Sequence, residues 1–217
     1  MPKFQQALLP KIILGLLVLL ILKVTLSVVW NYRHYLPPDF DNEFLQGRQS
    51  YFFGSYQWAF YSHLISGPLS LLLGLLLLSD RFRQAFPAWH RNLGKVQVFT
   101  ILLLIVPSGF WMALFAQPQP IASTGFAALA LFTGIFAALG WKAALHRQFA
   151  IHRVWMCRTY MLLGSAVVIR VIGGLATMTD TQAEWIYPAS AWASWLLPLA
   201  AYELYRLYFR RLAITAM

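Results

Sequence analysis

One cysteine, Cys157, stands in a chain of 217 residues, and that scarcity removes several kinds of chemistry at once. An intrachain disulfide, a four-cysteine iron–sulfur centre and the thiol pair that attaches a c-type haem all need more thiols. Acidic residues are also few, with seven Asp and Glu against seventeen Lys and Arg. No multi-carboxylate pathway stands out, and Asp80 and Glu203 read as single carboxylates near helix ends rather than a catalytic pair. The chain lacks an HExxH zinc-protease motif, a P-loop and a credible Ser–His–Asp arrangement. No polar stretch is long enough to form a soluble core of its own.

Apolar sequence fills the space that these absences leave. Six stretches, Leu8–Trp30, Tyr51–Leu78, Val96–Ala116, Thr124–Trp141, Cys157–Met178 and Pro188–Tyr208, are long and dominated by apolar residues. A bilayer core needs about 20 such positions. The expected fold is therefore all-α: a polytopic membrane bundle of six transmembrane helices in one integral domain over 1–217. The first stretch has Lys3 and Lys11 in front of it, as a signal peptide would. Its apolar run exceeds the usual 7–15 residues and no clean cleavage site follows, so it reads as a retained helix.

Charge gives the orientation. Lys3, Lys11, Arg81, Arg83, Arg91, Lys95, Lys142, Arg147, Arg153, Arg158, Arg206, Arg210 and Arg211 fall on one side of the expected bundle. Only Arg33 and Arg48 fall on the other. Thirteen against two predicts both termini in the cytoplasm and a bacterial inner-membrane location. The net charge of +10 is then mostly a topology signal, and no nucleic-acid module accompanies it. The outer loop Asn31–Ser50 carries Pro37-Pro38 and Asp39, Asp41 and Glu43, with a short surface helix expected around Asn42–Gln49.

Small residues mark the faces expected to pack. His63, Gly67, Ser70 and Gly74 form a narrow stripe on the second helix. Ala166, Arg170, Gly173 or Gly174, and Thr177 do the same on the fifth, so Arg170 is expected to face the bundle interior. Pro107-Ser108-Gly109 predicts a kink in the third helix whose freed backbone groups need local partners. Trp30, Tyr32, Tyr35, Trp58, Trp185 and Tyr187 read as interfacial anchors.

Histidines and arginines supply the candidate site. His63 is the one histidine expected deep in the apolar layer, and Arg170 falls at a similar depth, where a charge must meet protein, water or an anionic group. At the basic side, Trp89-His90-Arg91-x-x-Gly94-Lys95 leads into the third helix. His152-Arg153-x-Trp155-Met156-Cys157-Arg158-x-Tyr160 leads into the fifth, with His146 six residues before His152. The recurrence of His-Arg suggests a weak parallel repeat of helices two–three and four–five. It also predicts that His90 and His152 approach each other.

These blocks carry a resemblance. His63-x-x-x-Gly67 through Gly74, His90-Arg91-x-x-Gly94, and His152-Arg153-x-Trp155-Met156-x-Arg158-x-Tyr160 with Arg170 behind it resemble a broad bacterial family. That family is known only as predicted multi-pass membrane proteins with a domain of unknown function. The resemblance covers Tyr51–Arg170; it implies the membrane architecture and marks His63, His90, His152, Arg158 and Arg170, without supplying an activity.

The residues themselves leave several function classes open. The first is electron transfer through non-covalently bound b-type haem or quinone. Its candidate cofactor residues are His63, His90, His146, His152, Arg91, Arg153, Arg158 and Arg170, with His90 and His152 as iron ligands. The second is a non-catalytic membrane-complex subunit or assembly factor, whose partners would be membrane lipids and another integral membrane protein or respiratory component. The third is a transporter of a small molecule or anion recognised by Arg170.

Overall fold

The computed structural model describes residues 3–42, 44–181 and 183–215, without the side chains of 3–10 and 209–215. Glu43, the side chains of Lys3, Arg210 and Arg211, and both terminal residues thus lie outside the description. Among the described residues the chain is helical and has no strand, only an isolated bridge between Tyr35 and Pro38. It divides into two compact units, Met1–Phe52 and Phe53–Met217.

The first unit is a long apolar helix, α1 (Lys3–Trp30), followed by a 3₁₀ turn and a looped segment. Phe40 and Phe52 meet edge to face there, with ring centroids 5.3 Å apart. The expected helix at Asn42–Gln49 does not form. Asn42 instead caps a series of turns, its Oδ1 accepting from the Phe44 N–H and its carbonyl from Leu45 and Gln46. Gly47, at φ +73°, then turns the backbone in a way a side chain would resist. Helix begins only at α2 (Gln49–Tyr51).

The second unit contains α3 (Gln57–Leu77), α4 (Asp80–Ala85), α5 (Pro87–Thr100), α6 (Val106–Ala113), α7 (Ile121–Leu145), α8 (Phe149–Leu163), α9 (Ser165–Met178) and α10 (Ile186–Thr215). A π-helical turn, Ile101–Ile105, joins α5 to α6. Ser79 caps α4 by accepting from the Phe82 N–H, and Pro87 starts α5, where a missing N–H costs nothing. Central α7 packs against α6, α8 and α10, while α3 lies against α5, α6 and α8. Helix α9 runs along α10.

Among the described residues five helical stretches are long and apolar enough to cross a membrane: Lys11–His34, Gln49–Leu77, Pro87–Ala113, Ile121–Leu145 and Phe149–Met178. The sixth expected stretch lies inside the 30-residue α10. Its Trp, Tyr, Ser and Pro residues, with Glu203 and Arg206, dilute its apolar character, and it is not among the five. The third and fifth helices begin earlier than hydropathy predicts. Both His-Arg blocks consequently sit in the first turns of helices rather than in loops.

Close contact explains one position of the stripe on α3, Gly74. A Cβ on Gly74 would come within 2.7 Å of the Tyr160 ring and 3.3 Å of the Gln97 amide nitrogen, so α3, α5 and α8 converge at a position only glycine fits. The stripe on α9 behaves differently. Ala166, Arg170, Gly173, Gly174 and Thr177 are exposed, whereas Ser165 and Val167 are buried. Because α9 packs along α10 through its other side, the expected interior position of Arg170 is corrected to an exposed one.

Candidate functional site at the basic end of the bundle

The ends of α3, α7 and α10 and the starts of α5 and α8 share one end of the second unit. His152 opens α8, and its Nδ1 lies 2.8 Å from the carbonyl oxygen of Gly140 on α7. A carbonyl can only accept, so Nδ1 carries the proton and the Nε2 of the neutral ring keeps its lone pair. His90, in the first turn of α5, is close enough for the charge of one imidazole to act on the other. The Nδ1 of His90 is buried and meets no hydrogen-bonding partner among the described residues.

Helical periodicity brings the same two faces together farther in. Gln97 lies seven residues beyond His90, on the same face of α5; Thr159 and Tyr160 lie seven and eight beyond His152 on α8. About 10–12 Å along the helices, Gln97 and Tyr160 pack at the Gly74 crossing. Gln97 donates through Nε2 to the Ser70 carbonyl at 3.0 Å and to Ser70 Oγ at 2.8 Å, while its Oε1 is buried without a partner among the described residues. The Tyr160 hydroxyl donates to the Leu71 carbonyl at 3.2 Å. Between His90 and Gln97 sits half-buried Gly94, where an added Cβ would meet nothing within 4 Å. The space beside Gly94, one turn beyond the imidazole on the same face, is thus open.

The arginines are largely charge-matched within the chain. Arg158 grips Glu203 through both Nε, at 2.6 Å, and Nη2, at 3.1 Å. Arg206 reaches the same carboxylate at 2.9 Å. Asp80 accepts from Arg83 at 3.0 Å and from Arg153 at 2.8 Å, and these two guanidiniums hold its carboxyl below the usual carboxylate range. Two carboxylates far apart in sequence therefore anchor α8 to α4 and α10. Arg91 and His146 are exposed beside this network.

His63 belongs elsewhere. Its Nδ1 is 3.2 Å from Ser108 Oγ, and its ring lies over Gly109, where a Cβ would come within 3.3 Å of Cε1. Ser108 donates its own proton back to the Leu104 and Ile105 carbonyls, so it accepts from His63. The expected local partner at the Pro107 break is this hydroxyl. Ser108 is eighteen residues beyond His90 on one helical path, roughly 27 Å at 1.5 Å per residue. His63 consequently cannot share a ligand with the pair at the basic end. Arg170 lies within electrostatic range of His63 and donates to the Ala166 carbonyl of its own helix at 2.7 Å.

Sequence reasoning named Asp80 and Glu203 only as single carboxylates near helix ends, and it missed Gln97 and the Gly140 carbonyl. Gln97 was visible as a lone amide on the His90 face of an apolar run. The pairs Arg153–Asp80 and Arg158–Glu203 had no such signal, because their partners come from distant helices.

A comparison with curated proteins found no match, and a comparison with solved structures found none. A family model described as "Predicted membrane protein (DUF2306)" matches residues 60–206, a region that contains His63, both His-Arg blocks, Arg170 and Glu203. The chain belongs to this membrane-protein family, whose domain has no assigned function.

Proposed function

We propose that the protein transfers electrons in the membrane, and that His90 and His152 would hold the iron of a non-covalently bound b-type haem. The observation that carries the proposal is the pairing of an orientation-locked His152, whose Nε2 lone pair is free of its Nδ1 hydrogen bond, with a neighbouring His90 whose buried Nδ1 has no partner among the described residues.

The number of ligands selects the acceptor. Among the described residues no three His, Cys, Asp or Glu side chains gather where they could hold a metal ion. A bare ion on two imidazoles would be under-coordinated, whereas haem brings four equatorial nitrogens and asks the protein for two ligands. When bound, it supplies one-electron redox chemistry. The Gly140 carbonyl fixes the His152 tautomer and ring direction, and the position of Gly94, one turn from His90, leaves no side chain in the way.

Charge matching narrows the expected propionate contacts. Arg153 and Arg158 already hold carboxylates, which leaves Arg91, next to His90, as the guanidinium assigned to a propionate. The same reading takes α10 as a sixth span, with both termini cytoplasmic and the bundle in a bacterial inner membrane. Accessibility tags at Asn42, Arg83, Gln119, Arg147 and Asp180 should alternate sides in that order. A cytoplasmic Gln119 would overturn this orientation.

Absorption spectra of protein purified gently after haem-replete expression, oxidised and then reduced with dithionite, test the function. A stoichiometric Soret band that shifts on reduction supports it. Its absence rejects the haem reading and favours a non-catalytic membrane subunit.

A further inference from the structure

Helices α9 and α10 form a hairpin that turns between Met178 and Ile186, at the end of the second unit opposite the basic residues. The apolar span Phe149–Met178 stops just before this turn, which places it at the membrane boundary. Between the two helices runs a groove of about 290 Å³. Ile172, Leu175, Ala176 and Thr179 line it from one face of α9 and its C-cap, at steps of three, one and three. Ile186, Ala189 and Ala193 line it from α10, at steps of three and four. Seven residues on either side give the groove a length of about 10 Å. Its cross-section is then about 30 Å², which admits one extended hydrocarbon chain but not a helix 10–12 Å across.

The groove changes character along its length. Its deep end, toward the middle of the bundle, is Ile172 and Ala193, both apolar. Its mouth carries the hydroxyls of Thr179 and Thr181 and the indole of Trp185, which is 66% exposed. Asp180 and Glu184 are exposed next to these residues, and no Lys or Arg lies between Arg170 and Arg206. Polar at the membrane boundary and apolar toward the midplane is the polarity of a phospholipid with its headgroup outward. The acidic mouth selects among headgroups: an anionic one would meet like charge, whereas an ammonium answers it. We propose that the groove binds phosphatidylethanolamine, with one acyl chain between Ala176 and Ala189 and the ammonium beside Asp180 and Glu184. This proposal is independent of haem binding.

Photocrosslinking of the full chain in liposomes tests it. The probes are phosphatidylethanolamine and phosphatidylglycerol, each with a diazirine at the end of one acyl chain, and the labelled residues are mapped by mass spectrometry. Phosphatidylethanolamine should label the groove around Ile172 and Ala193 severalfold more than phosphatidylglycerol does. At Leu131, exposed on the apolar helix α7, the two probes should label alike. Ala189→Trp, which fills the groove without changing charge, should remove the groove label and leave the Leu131 label intact. Asp180→Asn with Glu184→Gln should shrink the headgroup preference by about two- to fivefold, the range of an exposed ion pair. Equal labelling of the groove by both probes would overturn the proposal. Groove labelling no denser than that of Leu131, or unchanged by Ala189→Trp, would show bulk lipid or another occupant and overturn it too. If Ala189→Trp fails to fold, the wild-type preference and the charge variant still decide.

Discussion

Gly140 and His152 join the last turns of α7 to the first turn of α8 through a 2.8 Å hydrogen bond from imidazole Nδ1 to backbone carbonyl. The same glycine permits the approach: a Cβ there would fall 2.7 Å from Met156 Sδ and 3.4 Å from Trp155 Cβ. One position thus sets both the spacing of two helices and the tautomer of a histidine. Packing alone therefore sets the direction of the His152 Nε2.

The open space at Gly94 separates a ligand site from ordinary packing. Leucine there meets no heavy atom near its Cβ and has the better helix propensity, by about 0.8 kcal/mol. Gly94→Leu should therefore leave thermal stability unchanged or slightly raised, while haem occupancy, read as the Soret-to-protein absorbance ratio, drops severalfold. Loss of stability without a change in occupancy would mean that Gly94 serves packing alone.

Glu203→Gln should destabilise the bundle by about 1–3 kcal/mol, because it leaves the partly buried Arg158 without its charged acceptor. The melting temperature in detergent should fall, and exchanging the partners (Arg158→Glu with Glu203→Arg) should recover part of the loss. A double mutant no better than the sum of its single mutants would show that the pair contributes little.

Asp80 gives a pH signature. Arg83 and Arg153 depress its folded-state pKa, so its stabilising contribution is present above the unfolded value of about 4. That contribution disappears as pH falls through the depressed folded value. Because the group is exposed, the effect should be small. Wild type should exceed Asp80→Asn in stability at neutral pH, and the two should converge in acid. A difference that persists below the folded value would rule out this linkage.

Membrane character and the first five apolar helices were legible because hydropathy needs no tertiary partner. The His-Arg blocks were legible as residues but misplaced as loops: Pro87 and Gln148 start their helices well before the apolar runs do. Arg170 shows a stronger limit. A small-residue stripe says that a helix can pack closely, yet α9 turns Ser165 and Val167 inward and leaves that stripe exposed. The pairing of Arg158 with Glu203 depends on where α10 crosses α8, which local periodicity does not encode.

The most direct measurement is the reduced-minus-oxidised spectrum of the wild type beside His90→Ala, His152→Ala and His63→Ala. The proposed ligation predicts a b-type spectrum in the wild type, its loss in the first two variants, and its survival in His63→Ala, whose imidazole lies roughly 27 Å farther along the bundle. A spectrum that survives removal of either His90 or His152, or vanishes only with His63, would contradict it.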